Sequence, residues 1–214
     1  MARILVFGDS IVYGAWDREK EGGWVQRLRK LLDEKHFIES DFDYSVYNLG
    51  VSGNTIGELL ERFEFETKQR LEEGEEIIII FQIGINDSQF VISQNGLRTL
   101  SEKFRENIKE LISSAKKFSS KVIFIGLTPV NEEKTTPIPW NPDKIYKNEN
   151  IKRNDEIIKS VCKENNIYFV EIFEKWLKSD YKNLLEDGLH PNSEGHKKIV
   201  EDVRDFLIKN KIIE

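Results

Sequence analysis

Apolar residues along the chain fall into two alternating rhythms. Five short runs, Ile4–Phe7, Ser45–Leu49, Ile77–Ile83, Val122–Leu127 and Ile167–Ile172, are mostly continuous and rich in Ile, Val and Phe. Unbroken apolar runs of this length suit strands buried on both faces of a parallel sheet. Between them the spacing changes to that of helices. Trp24, Leu28, Leu31 and Leu32 form one stripe, and Ile56, Leu59, Leu60 and Phe63 form a second. Leu100, Phe104, Ile108, Leu111, Ile112 and Ala115 form a third, Ile151, Ile158, Val161 and Cys162 a fourth, and Ile199, Val203, Phe206 and Leu207 a last. Thr55-x-x-Glu58 and Thr99-x-x-Glu102 read as capping boxes, Ser193 as the cap of the last helix, and Gly74 as the stop of the second. Strands alternating with helices predict an α/β fold: a three-layer α/β/α sandwich on a five-stranded parallel sheet, with flavodoxin-like topology.

The 214 residues carry no internal repeat and no linker, so one domain, 1–214, is expected. One stretch, 128–147, is irregular. It holds Pro129, Pro137, Pro139 and Pro142, four of the five prolines, together with Trp140. Loops this long in compact domains usually serve function. The formal net charge of −6 argues against nonspecific nucleic-acid binding, which needs a basic surface to displace counterions, and against docking on anionic membranes. The single cysteine, Cys162, excludes an internal disulfide framework. Met1-Ala-Arg leads straight into a short apolar run and Gly8-Asp9, unlike a secretory leader, so the expectation is a cytoplasmic protein without a membrane anchor.

In an open parallel sheet, ligands bind beyond the carboxyl ends of the strands. Polar and small residues gather there: Gly8-Asp9-Ser10 after the first strand, Gly50-Val51-Ser52-Gly53-Asn54-Thr55 after the second, and Gly84-Ile85-Asn86-Asp87 after the third. Thr128-Pro129 follow the fourth, and Asp187-Gly188-Leu189-His190-Pro191 lie beyond the fifth. A serine hydroxyl needs a base within hydrogen-bond reach, and that base needs a third group to set its tautomer. Ser10, His190 and Asp187 match those needs as nucleophile, base and orienter. Taken singly, Ser10 also reads as a helix cap and Asp187-x-x-His190 as a polar turn. Acyl transfer further needs donors for the developing oxyanion, and the candidates are the amides of Ser10 and Gly53 and the side chain of Asn86. Taken alone, Gly53 reads as a turn and Asn86 as an Asx turn. Ile11, Trp16, Thr128, Pro129 and Trp140 are candidate pocket residues.

These blocks, Gly-Asp-Ser at Ser10, Gly-Val-Ser-Gly-Asn-Thr at Gly53, Gly-Ile-Asn-Asp at Asn86 and Asp-Gly-Leu-His-Pro at His190, occur in order over residues 8–191. In this the chain resembles the GDSL esterases and lipases, or SGNH hydrolases. The resemblance implies a three-layer α/β/α fold, a Ser10–His190–Asp187 triad and an oxyanion hole from Ser10 N–H, Gly53 N–H and Asn86. It also implies acyl-ester hydrolysis through an acyl-enzyme, with no metal or other cofactor. Within it the substrate ranges over short-chain acyl esters, lysophospholipids, thioesters and acetylated sugars. The partner expected is a small-molecule ester, not a nucleic acid or a membrane; self-association stays open.

The competing reading is a non-catalytic ligand-binding module on the same fold. A nucleotide-binding domain lacks support, since neither Gly-x-Gly-x-x-Gly nor a Walker loop occurs, and so does the Gly-x-Ser-x-Gly elbow of ordinary α/β-hydrolases. Metal-dependent hydrolysis finds no His-rich pattern. The other polar residues read as structural: Asp9 and Asp87 as loop-shaping groups, His196 as structural or exposed, and His36 as solvated. Cys162 and Trp24 read as helix packing.

Overall fold

The computed structural model describes residues 1–39 and 43–213. Its elements run β1 (Ala2–Gly8), α1 (Ser10–Tyr13), α2 (Gly23–Ile38), β2 (Tyr44–Gly50), α3 (Ile56–Lys68) and β3 (Glu76–Gln82). Then come β4 (Phe90–Val91), β5 (Gly96–Leu97), α4 (Ser101–Ala115), β6 (Lys121–Ile125), α5 (Glu132–Thr135) and β7 (Lys144–Ile145). The chain closes with α6 (Asn148–Glu164), β8 (Tyr168–Val170), α7 (Phe173–Leu177) and α8 (Ser193–Lys209). The main sheet is parallel throughout, in the order β2-β1-β3-β6-β8. Helix α2 packs on α8 over one face, while α3 packs on α4 and α4 on α6 over the other. This is the expected α/β/α sandwich. Ile4, Leu5, Val6 and Phe7 of β1 and Ile78 through Phe81 of β3 have no exposed surface, as their unbroken apolar runs require.

The five main strands lie where the apolar runs put them, within a few residues at each end. A second sheet, β5-β4-β7, antiparallel throughout, was not legible as strands. Its strands have two residues each, too short for any periodicity. Other details differ from expectation. Thr55 and Glu58 form the capping box, but Thr99 does not cap α4: its hydroxyl donates to Asp87 Oδ1 at 2.8 Å, and Leu100 is an exposed N-cap residue. The cap of α8 is Asn192, because Ser193 instead donates to Asp17 at 2.7 Å. Leu31 lies at the exposed edge of its stripe. Gly74 sits in the turn into β3, beyond the end of α3 at Lys68. Cys162 and Trp24 are buried as expected, with Trp24 Nε1 donating to Gln82 at 2.8 Å. Among the described residues no helix is long and apolar enough to cross a membrane.

The order β2-β1-β3 makes the chain leave β1 on one side and return as β3 on the other. The loops after β1 and β3 therefore diverge and leave a crevice between them. Register brings the three strand ends level, with Gly8 beside both Gly50 and Gln82. Helix α1 starts immediately beyond that edge and lies against the end of β2. A Cβ on Gly50 would come within 2.2 Å of Tyr13 N and 2.8 Å of Asp9 O. Asn48 ties the two together, donating to Val12 O at 2.8 Å and accepting from Gly50 N at 3.0 Å.

Asp9 caps α1 by accepting from Ile11 N at 2.9 Å, the loop-shaping role expected of it. Burial pushes its carboxyl up to about 7, although the Ile11 amide and the nearby His190 both favour the charged form. The folded state therefore holds this proton more tightly than the unfolded chain does. Stability from this group is greatest below about pH 4 and declines as the pH rises through 7. Asp9→Asn keeps the acceptor without the charge. It is expected to gain stability over the parent at pH 8, on the order of a few kcal/mol, and to lose that advantage by pH 4. Urea unfolding at both pH values measures this; a variant less stable than the parent at pH 8 contradicts it. Gly50→Ala has no room for its methyl group and is expected to cost about 1–3 kcal/mol while displacing α1, so activity should fall with stability. A variant of parental stability in the same assay contradicts the close approach.

Candidate functional site

Ser10 is the first residue of α1, at the mouth of the crevice and 8% exposed. Its Oγ lies 3.0 Å from His190 Nε2, and His190 Nδ1 lies 2.7 Å from Asp187 Oδ2. The other oxygen of Asp187 accepts from Leu189 N at 2.9 Å and His190 N at 2.8 Å. Burial works against the charge on Asp187, but the His190 ring and these two amides outweigh it and hold the carboxyl below its ordinary value. An ionised carboxylate can only accept, so the proton of the neutral imidazole sits on Nδ1. The lone pair of Nε2 is left facing the serine hydroxyl. The turn carrying both groups is anchored on each side. Leu185 bridges Pro191, Glu186 N donates to His190 O at 2.9 Å, and Asn131 N donates to Gly188 O at 2.8 Å.

Gly53 and Asn86 reach the same crevice from the other two strand ends. Gly53 has a left-handed φ of 82° and open space where a Cβ would be. Its carbonyl accepts from Arg98 Nη1 at 3.1 Å, and the same guanidinium binds Glu58 at 3.1 Å. Neither Ser10 N nor Gly53 N has a hydrogen-bond acceptor among the described residues. Asn86 Nδ2 donates to Asn54 O at 3.0 Å, and its Oδ1 accepts from Tyr146 Oη at 2.8 Å. Asp87 next to it accepts from Ile56 N at 3.0 Å and from Thr99. Its carboxyl, pushed up to about 6 by burial, joins the Asn86 turn to α3.

A cavity of about 580 Å³ opens over these groups. Ser10, Gly53, Asn86 and His190 all line it, so the residues singled out at four strand ends do meet in one place. Trp16 and Trp140 line it too and flank the His190 ring, with centroids 6.4 and 6.2 Å away; Trp140 lies nearly parallel to it. Trp16 adopts a left-handed φ of 66°, an unfavourable conformation for a bulky residue. His196 steadies that loop. Its Nε2 lies 3.1 Å from Ala15 O, and its Nδ1 3.3 Å from Trp24 N. Of the two readings for His196 the structural one fits: the ring has no exposed surface, and burial holds its pKa below the ordinary value. His36 is exposed.

Three candidates do not line the cavity. Ile11, Thr128 and Pro129 are buried and form no part of its lining. Ile11 packs in the hydrophobic core. Thr128 and Pro129 follow β6, whose end lies beyond β3 from the β1/β3 switch point. Conversely, Asn54, Glu58, Gln89, Arg98, Ile138, Lys144, Tyr146 and Leu189 line it and were not anticipated. Tyr146, Lys144 and Ile138 belong to the proline-rich stretch whose irregularity already marked it. Gln89 stands only three residues beyond Asn86. Glu58 was legible only as the capping-box partner of Thr55, and Arg98 had no local signal.

Comparison with known proteins shows the family and the fold. The profile of the GDSL-like Lipase/Acylhydrolase family matches residues 6–198. The GDSL esterase/lipase WDL1 of Oryza sativa subsp. japonica is 30% identical over 212 residues, covering 95% of this chain and 76% of that protein. An arylesterase of Vibrio mimicus is 24% identical, covering 97% of this chain and 89% of that one. Among solved structures, the acetyl xylan esterase AlAXEase superposes with a TM-score of 0.75 at 21% identity, over 96% of this chain and 99% of that chain. With its four sequence blocks, its fold and this family match together, the chain belongs to the GDSL-like lipases and acylhydrolases, a family of ester-hydrolysing enzymes.

Proposed function

We propose that this enzyme is a serine esterase working through an acyl-enzyme, with Ser10 as nucleophile, His190 as general base and Asp187 as its orienter. The observation that carries this reading is the unbroken hydrogen-bond chain from Asp187 through His190 to Ser10, at 2.7 and 3.0 Å. As Ser10 Oγ attacks the ester carbonyl, its proton passes to His190 Nε2, and Asp187 stabilises the imidazolium. The carbonyl oxygen becomes an oxyanion. The unpaired amides of Ser10 and Gly53 and the Asn86 side chain are the donors available to receive it. Collapse breaks the ester C–O bond, and His190 returns its proton to the departing alcohol. Water then attacks the acyl-enzyme with the same base, releasing the acid and restoring Ser10.

The cavity lining supports a short acyl group on a polar alcohol. Among the described residues that line it, the aliphatic ones are Ala15, Ile138 and Leu189, a small apolar lining for a long chain. Trp16 and Trp140 offer flat apolar faces beside Asn54, Asn141 and Arg98, a mixture that suits the faces and hydroxyls of a sugar ring. An acetylated saccharide is therefore the first substrate to try, ahead of lysophospholipids and thioesters. The acetyl xylan esterase among the solved structures points the same way.

Ser10→Ala is expected to abolish release of nitrophenol from nitrophenyl acetate while the circular dichroism spectrum and melting temperature stay at parental values. Persistent activity in this variant rules out the mechanism. Across nitrophenyl esters, kcat/KM is expected to fall at least tenfold between acetate and octanoate, with acetylated xylose also turned over. A preference for the longer chain contradicts the reading of the cavity. Parental protein that binds esters without turning them over would make the cavity a binding site alone.

A further inference from the structure

We propose that Tyr146 is a positioning residue for the oxyanion hole: its hydroxyl locks the Asn86 side chain with its N–H facing the substrate. The inference rests on the acyl-enzyme reading above and adds to it a group that reaches the chemistry only through Asn86.

The case is an accounting of one amide. Asn86 has two N–H donors and one carbonyl acceptor, and a 180° flip of the amide exchanges them. Asn54 O, 3.0 Å away, can only accept, so the group facing it must be the NH2. The carbonyl then faces Tyr146, whose hydroxyl donates to it at 2.8 Å, with Gln89 Nε2 a longer second donor at 3.5 Å. One N–H is committed to Asn54, and the second is the side-chain hydrogen left for a ligand in the cavity that Asn86 lines. The flipped amide would set two carbonyl oxygens against each other at Asn54 and leave the tyrosine hydroxyl without its acceptor. Donation into the carbonyl also polarises the amide and strengthens its N–H as a donor.

Tyr146 is itself held for this task. It is 2% exposed, and burial keeps its phenol protonated well beyond the ordinary range, so the hydroxyl remains a donor. Gln89 Nε2 donates to the phenol oxygen, which turns the phenol's own hydrogen toward Asn86. The backbone of Tyr146 is pinned on both sides: its N donates to Thr135 O at 3.0 Å, and its O accepts from Thr135 Oγ1 at 2.9 Å. The small sheet explains why the tyrosine is there. Phe90 pairs with Ile145 and Val91 with Lys144, so β4, just after Gln89, is stitched to β7, just before Tyr146. Two short strands thereby join the proline-rich stretch to the Asn86 turn.

The test compares the parent, Tyr146→Phe, Asn86→Ala and the double variant on nitrophenyl acetate, with Ser10→Ala as the control for the underlying mechanism. This activated ester keeps Asn86→Ala measurable, since removing one oxyanion donor lowers kcat by about 10²–10³-fold. Tyr146→Phe is expected to lower kcat roughly 10- to 100-fold, a smaller loss than deleting the donor itself, with KM within threefold of the parent. In the Asn86→Ala background the same change is expected to lower kcat less than threefold, because the group it positions is gone. Full additivity of the two losses, a raised KM at parental kcat, or a kcat within threefold of the parent for Tyr146→Phe each overturns the proposal. These outcomes are separate from failure of the mechanism, which shows as activity in Ser10→Ala.

Discussion

Everything at this site depends on strand β1 lying between β2 and β3 with the three carboxyl ends level. Gly8 stands beside Gly50 on one side and Gln82 on the other. The loops leaving those ends carry Ser10, Gly53 and Asn86. A shift of one residue in either pairing would turn β1 or its neighbour inside out, putting its buried faces out of register with the helices that cover them. The continuous burial of Ile4–Phe7 and Ile78–Phe81 fixes that register energetically. The position of the proposed oxyanion donors is thus set by core packing below the site. The glycines at the level of the strand ends allow the first helix to begin almost directly after β1, which places the serine at the mouth of the crevice.

The fourth component is attached differently. His190 and Asp187 come from the turn before α8 and are brought in by α8 packing on α2. The His196 ring, the Ser193–Asp17 hydrogen bond and the Arg18–Glu186 ion pair join this turn to the loop that carries Trp16. One half of the site is therefore a property of the sheet, and the other half a property of the helix layer. Two buried carboxyls, Asp9 and Asp87, stand where the sheet half turns into its loops. Each trades a cost of desolvation for hydrogen bonds to backbone or hydroxyl groups that set the turn.

The main sheet was legible because parallel strands buried on both faces leave continuous apolar runs, a signal that needs no partner to read. Ser10, Gly53 and Asn86 were legible because each follows a strand end, and Asp187 and His190 because they share one short turn before α8. Tyr146, Gln89 and Arg98 were not. Their roles come from pairings across the fold, such as Tyr146 with Asn86, which no local spacing encodes. Ile11 shows the converse failure: next to the proposed nucleophile in sequence, it packs into the core because successive helix residues are rotated by about 100°. Thr99 had the spacing of a capping box and was claimed by Asp87, twelve residues away, a tertiary contact overriding a local one.

On the proposed mechanism Ser10 becomes covalently acylated with His190 as its base. Mass spectrometry of the folded protein after treatment with a fluorophosphonate tests it most directly, with peptide mapping to locate the adduct. A single adduct per chain is expected, on Ser10, forming much more slowly in His190→Ala. An adduct on another residue, or an unmodified Ser10 in protein that still hydrolyses esters, would contradict it.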